Sequence, residues 1–299
     1  MTPEAWLFRN SILPTRDAPA RLASHQQVRI DLCLLARDSS STLQRHLLLL
    51  RHGWPGGKSP WRRILVADLG SSDNTCQIAE EAGATLLAPE NPRAAESEPS
   101  ADGDGLQRAL EHSDADILLV APANVLRLEM DSLATLALSL VERPELALCQ
   151  GASSVAGSEL SLLGLRPLLA ALCPPLAVFS DPASPLLAVR PDKIRDLPLA
   201  KTGGYEAALV VDCWFKFGLS SLSQVLTGSL EWHDRDPRSA PSHSFRSQLA
   251  LLEALRRAGR LHTNQEFGHL LPVPQEWSAK GPRILTQMEV FPWLRAPGN

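Results

Sequence analysis

From Val28 to Gln150 the chain alternates short apolar runs with amphipathic runs of helical period. That rhythm constrains the fold more than any other feature. Val28–Leu35 (VRIDLCLL), Arg63–Asp68 (RILVAD), Thr85–Ala88, Asp116–Ala121 and Leu146–Gln150 read as strands. Between them, Ser39–Arg51, Ser72–Ala82, Gly105–His112 and Asp131–Arg143 read as helices, and Gly53–Pro60 as a loop. Strand–helix alternation of this kind predicts an α/β fold, a mostly parallel sheet with helices on both faces. Pro89–Asp104 is polar and reads as a loop.

After Gly151 the rhythm breaks. Pro185–Arg190 and Ser221–Leu226 read as strands and Glu206–Phe217 as a helix. Ser229–Pro241 is a polar loop, Phe245–Ala258 is strongly helical, and the residues from His262 on read as irregular. Arg246, Arg256, Arg257 and Arg260 form a basic face expected to be solvated. We divide the chain into an N-terminal extension (1–27), a main domain (28–236) and a C-terminal helical and irregular region (237–299).

Composition narrows the function classes. A net charge of −4 with 21% charged residues lacks the basic face of a nucleic-acid binder. The longest apolar stretch, Leu160–Phe179, carries Arg166 and prolines and is too interrupted to span a bilayer. No signal peptide is read at the N-terminus. The five cysteines show no paired or zinc-binding spacing. Buried free thiols and a cytoplasmic location are expected.

The strand ending at Asp68 runs into LGSSDNT. A carboxylate at a strand end, a glycine turn and a run of capping residues place helix amides toward a crevice. Asp68 can either accept hydrogen bonds from a ribose or base, or cap its own turn. Asp73 suits a helix N-terminus. No P-loop, nucleophile elbow or dinucleotide fingerprint occurs.

Taken with the first strand, Val66–Thr75 (VADLGSSDNT) and Gly204–Asp212 (GYEAALVVD) resemble the GT-A glycosyltransferases, closest to the glucosyl-3-phosphoglycerate synthases, with the family-2 glycosyltransferases as wider kin. The resemblance runs from about Asp31 to His233. It implies a GT-A sheet with a helical C-terminal region, a nucleotide-sugar donor and a small acceptor. It places Arg37 in a stretch lining the base, and Asp68, Ser71 and Asp73 with the nucleotide. Gly103–Leu110 falls where the family touches the nucleotide. Arg166–Leu169 falls near the acceptor, and Glu206 on a family glutamate with a catalytic role. His233 falls near the histidine that completes the metal shell.

Pro122, Ala123 and Asn124 stand where the resemblance puts the D-x-D acids that hold a divalent metal and the diphosphate. Magnesium and manganese want hard oxygen ligands, carboxylate above all. Proline and alanine offer none, and Asn124 offers one neutral oxygen. Ser39 replaces a base-side glutamate, Asp104 a lysine, and Ala183-Ser184-Pro185 a glycine pair. The sequence therefore predicts a glycosyltransferase-like chain, impaired or inactive as a transferase. The alternative is an active transferase that works without metal. No cofactor is expected, with magnesium or manganese only if the altered site, or a shifted Glu129 or Asp131, still binds it. A nucleotide or nucleotide sugar is the expected ligand. A second copy or a partner enzyme is the expected assembly.

Overall fold

The computed structural model describes residues 2–90, 102–153, 158–201, 203–233, 240–262, 270–278 and 281–289. The chain opens with α1 (Pro3–Asn10), β1 (Ser11–Ile12) and α2 (Ala18–Ser24). The alternating segment follows: β2 (Ile30–Ala36), α3 (Ser40–His52), β3 (Arg63–Asp68), α4 (Thr75–Glu81), β4 (Thr85–Leu87), α5 (Asp102–His112), β5 (Ile117–Pro122), α6 (Met130–Glu142) and β6 (Leu148–Ala152). Then come a π-helical turn at Ser161–Leu165, α7 (Arg166–Leu172), β7 (Leu187–Val189), α8 (Pro191–Ile194), α9 (Tyr205–Phe217), β8 (Leu222–Leu226) and α10 (Ala240–Arg257).

The sheet has eight strands in the order β1-β8-β6-β7-β5-β2-β3-β4. β7 runs antiparallel to both its neighbours, and the other pairings are parallel. Each strand feeds both faces at period two. On β2, Cys33 and Leu35 face a core shared with α5, α7, α9 and α10. Ile30, Leu32, Leu34 and Ala36 face one shared with α2, α3 and α6. Burial on both faces explains why the strands read as near-continuous apolar runs.

The segment ahead of Val28 supplies the sheet's edge: Ser11 pairs with Gln224 and Ile12 with Val225. Trp6 is fully buried against Phe179, ring centroids 5.0 Å apart, and donates its indole N–H to the Leu219 carbonyl at 2.9 Å.

Some expectations need correction. Asp102–Asp104, read as loop, form the first turn of α5. α10 begins at Ala240, earlier than the helix read at Phe245. The tail read as irregular contains an antiparallel hairpin, β9 (Leu270–Ser278) and β10 (Gly281–Glu289), with Ser278 opposite Gly281. Pro272 and Pro274 hid β9, because proline reads against a central strand. In a two-stranded sheet every strand is an edge, where it is tolerated. The rest of the loops at 89–104 and 229–241, namely 91–101 and 234–239, lies outside the described residues.

Candidate functional site

The register of the sheet sets the site. Ala36 pairs with Asp68, and Leu35 with Pro122, so the turns after β2, β3 and β5 lie side by side at one edge. In open α/β sheets, ligands bind outside the carboxyl ends of the strands.

The β2 and β3 turns are laced together by side chains. Asp38, at φ 45°, is in the left-handed region. Its carboxylate accepts from the Ser72 amide at 2.7 Å and the Ser72 hydroxyl at 3.0 Å, and its own amide donates to Ser71 Oγ at 3.1 Å. Asp73 accepts from the Ser40 amide at 3.0 Å and the Thr75 amide at 2.9 Å, capping two helices from one carboxylate. Burial opposes its charge, and the Ser40 and Thr75 donors outweigh burial and hold its pKa below the usual range. Buried Ser39 donates its amide to Thr75 Oγ1 at 2.8 Å.

Asp68 is 5% exposed, and its carboxylate accepts from the Gly70 amide at 3.2 Å and the Ser71 amide at 3.1 Å. It therefore closes its own turn. Arg108, buried on α5, donates to the Asp68 carbonyl at 2.7 Å and to the Leu87 carbonyl, and pairs with Asp104 at 3.0 Å. The Asp104 charge thus has a counter-ion one helical turn away. Arg37 sits half-buried on the same rim.

The β5 turn is held by main chain. Ala123 donates its amide to the Leu35 carbonyl at 2.8 Å, and its carbonyl accepts from Thr42 Oγ1 at 2.7 Å. His233 donates its amide to the Asn124 carbonyl at 2.8 Å, Val125 bridges Trp232, and Leu126 donates to the Glu231 carbonyl at 2.7 Å. His233 therefore lies against Pro122–Asn124, although 109 positions separate it from Asn124 in the chain (233 − 124). Glu129, considered above as a stand-in acid, pairs with Arg127 at 3.0 Å. Among the described residues, no three His, Cys, Asp or Glu side chains come together to hold a metal. Asp234 and Asp236, just past His233, lie outside those residues.

Glu206 stands in the first turn of α9 and is 4% exposed. Burial pushes its pKa up to about 8, the charge of Asp102 adds to this and so does Asp181, while backbone amides at Glu206 and Gly204 oppose it. The carboxyl is thus a neutral acid near pH 7. Asp181 is itself held by the Ser161 hydroxyl and by Ser158 at 3.2 Å.

The basic face read on α10 is split. Arg246 is 3% exposed, Arg257 pairs with buried Asp212 at 2.7 Å, and Arg260 lies over the Trp214 ring at 5.0 Å. Asp38, Thr42 and Arg108 went unread as parts of this edge. Only the Asp104–Arg108 spacing carried a local signal. The cysteines are free, Cys76 half-buried and the others buried, as expected.

Both the sequence and the fold have known relatives. A glucosyl-3-phosphoglycerate synthase of Petrotoga mobilis is 25% identical over 291 residues, 93% of this chain and 88% of that protein. One of Mycolicibacterium paratuberculosis is 27% identical over 186 residues, 58% of this chain and 56% of that protein. The crystal structure of mannosyl-3-phosphoglycerate synthase from Rubrobacter xylanophilus superposes with a TM-score of 0.80 at 22% identity, covering 96% of each chain. The fold is the GT-A glycosyltransferase fold. The chain is related in sequence to the glucosyl-3-phosphoglycerate synthases. The Mycobacterium tuberculosis member, solved with Mn2+, UDP-glucose and glycerol 3-phosphate, superposes with a TM-score of 0.72 at 22% identity over 90% of each chain. No family model matches the chain. No helix among the described residues is long and apolar enough to cross a membrane.

Proposed function

We propose that this chain is a nucleotide-sugar-binding member of the GT-A class in which metal-dependent sugar transfer is lost. The observation that carries the reading is the β5 turn. Its main-chain bonds to Leu35, Thr42 and His233 are in place, while its side chains are a proline, an alanine and an amide. Those residues do not fit a divalent ion that must also hold a diphosphate. Arg37, Asp68, Ser71 and Asp73 form the nucleotide rim, with Asp68 and Asp73 acting by shaping turns that present amides. Glucosyl- or mannosyl-nucleotides are the ligand class, by analogy with the relatives. A cytoplasmic location, and a second copy or partner enzyme as assembly, belong to the same reading.

A second reading, an active transferase that needs no metal, is favoured by Glu206. A buried carboxyl near neutral charge at the carboxyl edge has the protonation state of a hydrogen-bond donor to an acceptor hydroxyl or leaving oxygen.

Calorimetric titration with UDP-glucose, GDP-mannose, UDP and GDP, each with and without manganese, tests the reading. The expected result is binding of one nucleotide series, indifferent to metal. Manganese-enhanced binding would overturn the lost metal site, and no binding in any series would overturn the nucleotide rim. Turnover to a phosphoglycerate acceptor in EDTA would select the second reading.

A further inference from the structure

A cavity of about 140 Å³ opens beside the β5 turn. One wall comes from the segment that runs from that turn into α6, the other from the segment after β8, and Leu186, just ahead of β7, also lines it. The Leu126 amide on the Glu231 carbonyl at 2.7 Å and the Val125–Trp232 bridge tie the two walls together. Leu133 and Leu186 belong to the core shared with α2, α3 and α6, and Leu230 packs on it. Tyr205 and Ala207, which flank Glu206, belong to the core on the other face. The cavity therefore lies at the edge where open α/β sheets bind ligands, but on the opposite side of the sheet from Glu206.

Its polar groups are unevenly satisfied. The Thr227 hydroxyl donates to the Ala152 carbonyl at 3.3 Å, and Ser229 Oγ lies 3.1 Å from Ser153 Oγ. Ser132, in the first turn of α6, lines the cavity and is 4% exposed, and its hydroxyl has no protein partner among the described residues. The N-cap of α6, Glu129, makes no side-chain bond to the helix amides. The first amides of α3 and α4, by contrast, are held by Asp73. A buried hydroxyl and helix amides left in this state call for a partner.

The lining selects its chemistry. Arg127 is matched by Glu129 at 3.0 Å, and Glu231 adds a further negative charge, which disfavours an anion. An apolar ligand would leave Ser132 unpaired. A neutral polyol meets both conditions: its hydroxyls accept from Ser132 and the α6 amides and donate to Glu231, while its C–H face lies on Leu133, Leu186 and Leu230. A cavity of about 150 Å³ admits one six-membered ring.

We propose that this cavity is a second binding site, for a monosaccharide-sized polyol free of nucleotide, whose occupancy braces the β5 turn against the segment leading to His233. It is separate from the nucleotide rim and does not depend on the nucleotide reading.

The test is calorimetry on the full chain with millimolar glucose, mannose, glycerol and inorganic phosphate, and with UDP and GDP in parallel. Wild type, Ser132→Ala and Glu231→Gln are compared after thermal melts confirm folding. Ser132→Ala removes a hydroxyl that bonds nothing, and Glu231→Gln keeps the carbonyl that Leu126 uses, so both should melt close to wild type. Wild type should bind a hexose more tightly than glycerol or phosphate. Ser132→Ala should weaken hexose binding about tenfold, the size of one well-placed hydrogen bond, and leave nucleotide binding unchanged. Should Ser132→Ala fail to fold, Glu231→Gln carries the test with a loss of the same order. Failure of wild type to bind either hexose, or unchanged hexose affinity in the variants that fold, overturns the site. Phosphate bound more tightly than hexose would assign the cavity to an anion and overturns it too. Displacement of hexose by UDP-glucose but not by UDP would make the cavity part of the donor site and overturns its separateness. Hexose binding by a wild type that binds no nucleotide leaves this site standing and removes the nucleotide reading.

Discussion

The two turns at the carboxyl edge of the sheet are held in opposite ways. The β2–β3 rim depends on side chains: Asp38, Asp73, Ser71, Thr75 and Arg108 each bridge to a neighbouring turn or carbonyl, and Asp68 closes its own turn. The β5 turn depends mainly on main chain, with the Thr42 hydroxyl on the Ala123 carbonyl and the Arg45 guanidinium on the Leu126 carbonyl joining it. A turn held by its own amides and carbonyls can exchange its side chains without losing shape. On the reading proposed above, that is how Pro122-Ala123-Asn124 stands in the place of metal-binding acids while His233 lies against it. On the other rim, sequence and shape cannot separate in this way, so VADLGSSDNT keeps the pattern by which the fold was recognised.

The largest effect should follow from breaking the side-chain rim at its anchor. Arg108→Met would leave two buried carbonyls and Asp104 without their partner. Each buried unpaired group costs about 1–3 kcal/mol, so a loss of roughly 3 kcal/mol is expected in urea unfolding. A loss under about 1 kcal/mol would mean that the rim is not held by side chains.

Glu206 and Asp73 sharpen the contrast through opposite responses to pH. The Glu206 pKa is raised to about 8, above its unfolded value. Between those values the folded state binds more protons than the unfolded one, so its contribution is full in acid and fades as pH rises through 8. Glu206→Gln should flatten that slope and be the more stable protein at pH 9, by on the order of 1–3 kcal/mol. Asp73 has a lowered pKa, so its contribution is full at neutral pH and is lost as pH falls through its folded value. Asp73→Ala should cost about 1–2 kcal/mol at pH 7, the size of a helix cap, and much less near pH 2. Unfolding curves across pH test both signs.

How much of this was legible follows from how each contact is made. Gly70 and the run Ser71–Thr75 announce a capped turn because the chemistry is local. The strands showed themselves by their apolar runs. Asp38 lacked such a signal, since a left-handed aspartate has meaning only once Ser71 and Ser72 lie opposite it. Arg246 looked like one of several surface arginines until Gly204 brought α10 against α9. His233 was placed through family resemblance, because nothing within its own segment points to Asn124. Antiparallel β7 is three residues long, too short for alternation to show direction.

The smallest effects should come at the β5 turn, and they test the comparison most directly. Asn124→Ala should change stability by no more than about 0.5 kcal/mol, because the bond to His233 uses the Asn124 carbonyl, which the substitution keeps. Thr42→Val, which removes the hydroxyl bonded to Ala123, should cost about 1 kcal/mol. If the turn is a preserved frame, Asn124→Asp restores a hard oxygen ligand beside His233 without reshaping it. That variant should gain a manganese-dependent increase in UDP affinity of several-fold, up to about tenfold for one added charge-assisted contact, which the wild type lacks. Calorimetry with and without manganese reads the outcome. An Asn124→Asp protein that is equally stable yet indifferent to manganese would show that the frame has drifted along with its side chains. The difference between the two turns would then lie in backbone position as well as in chemistry.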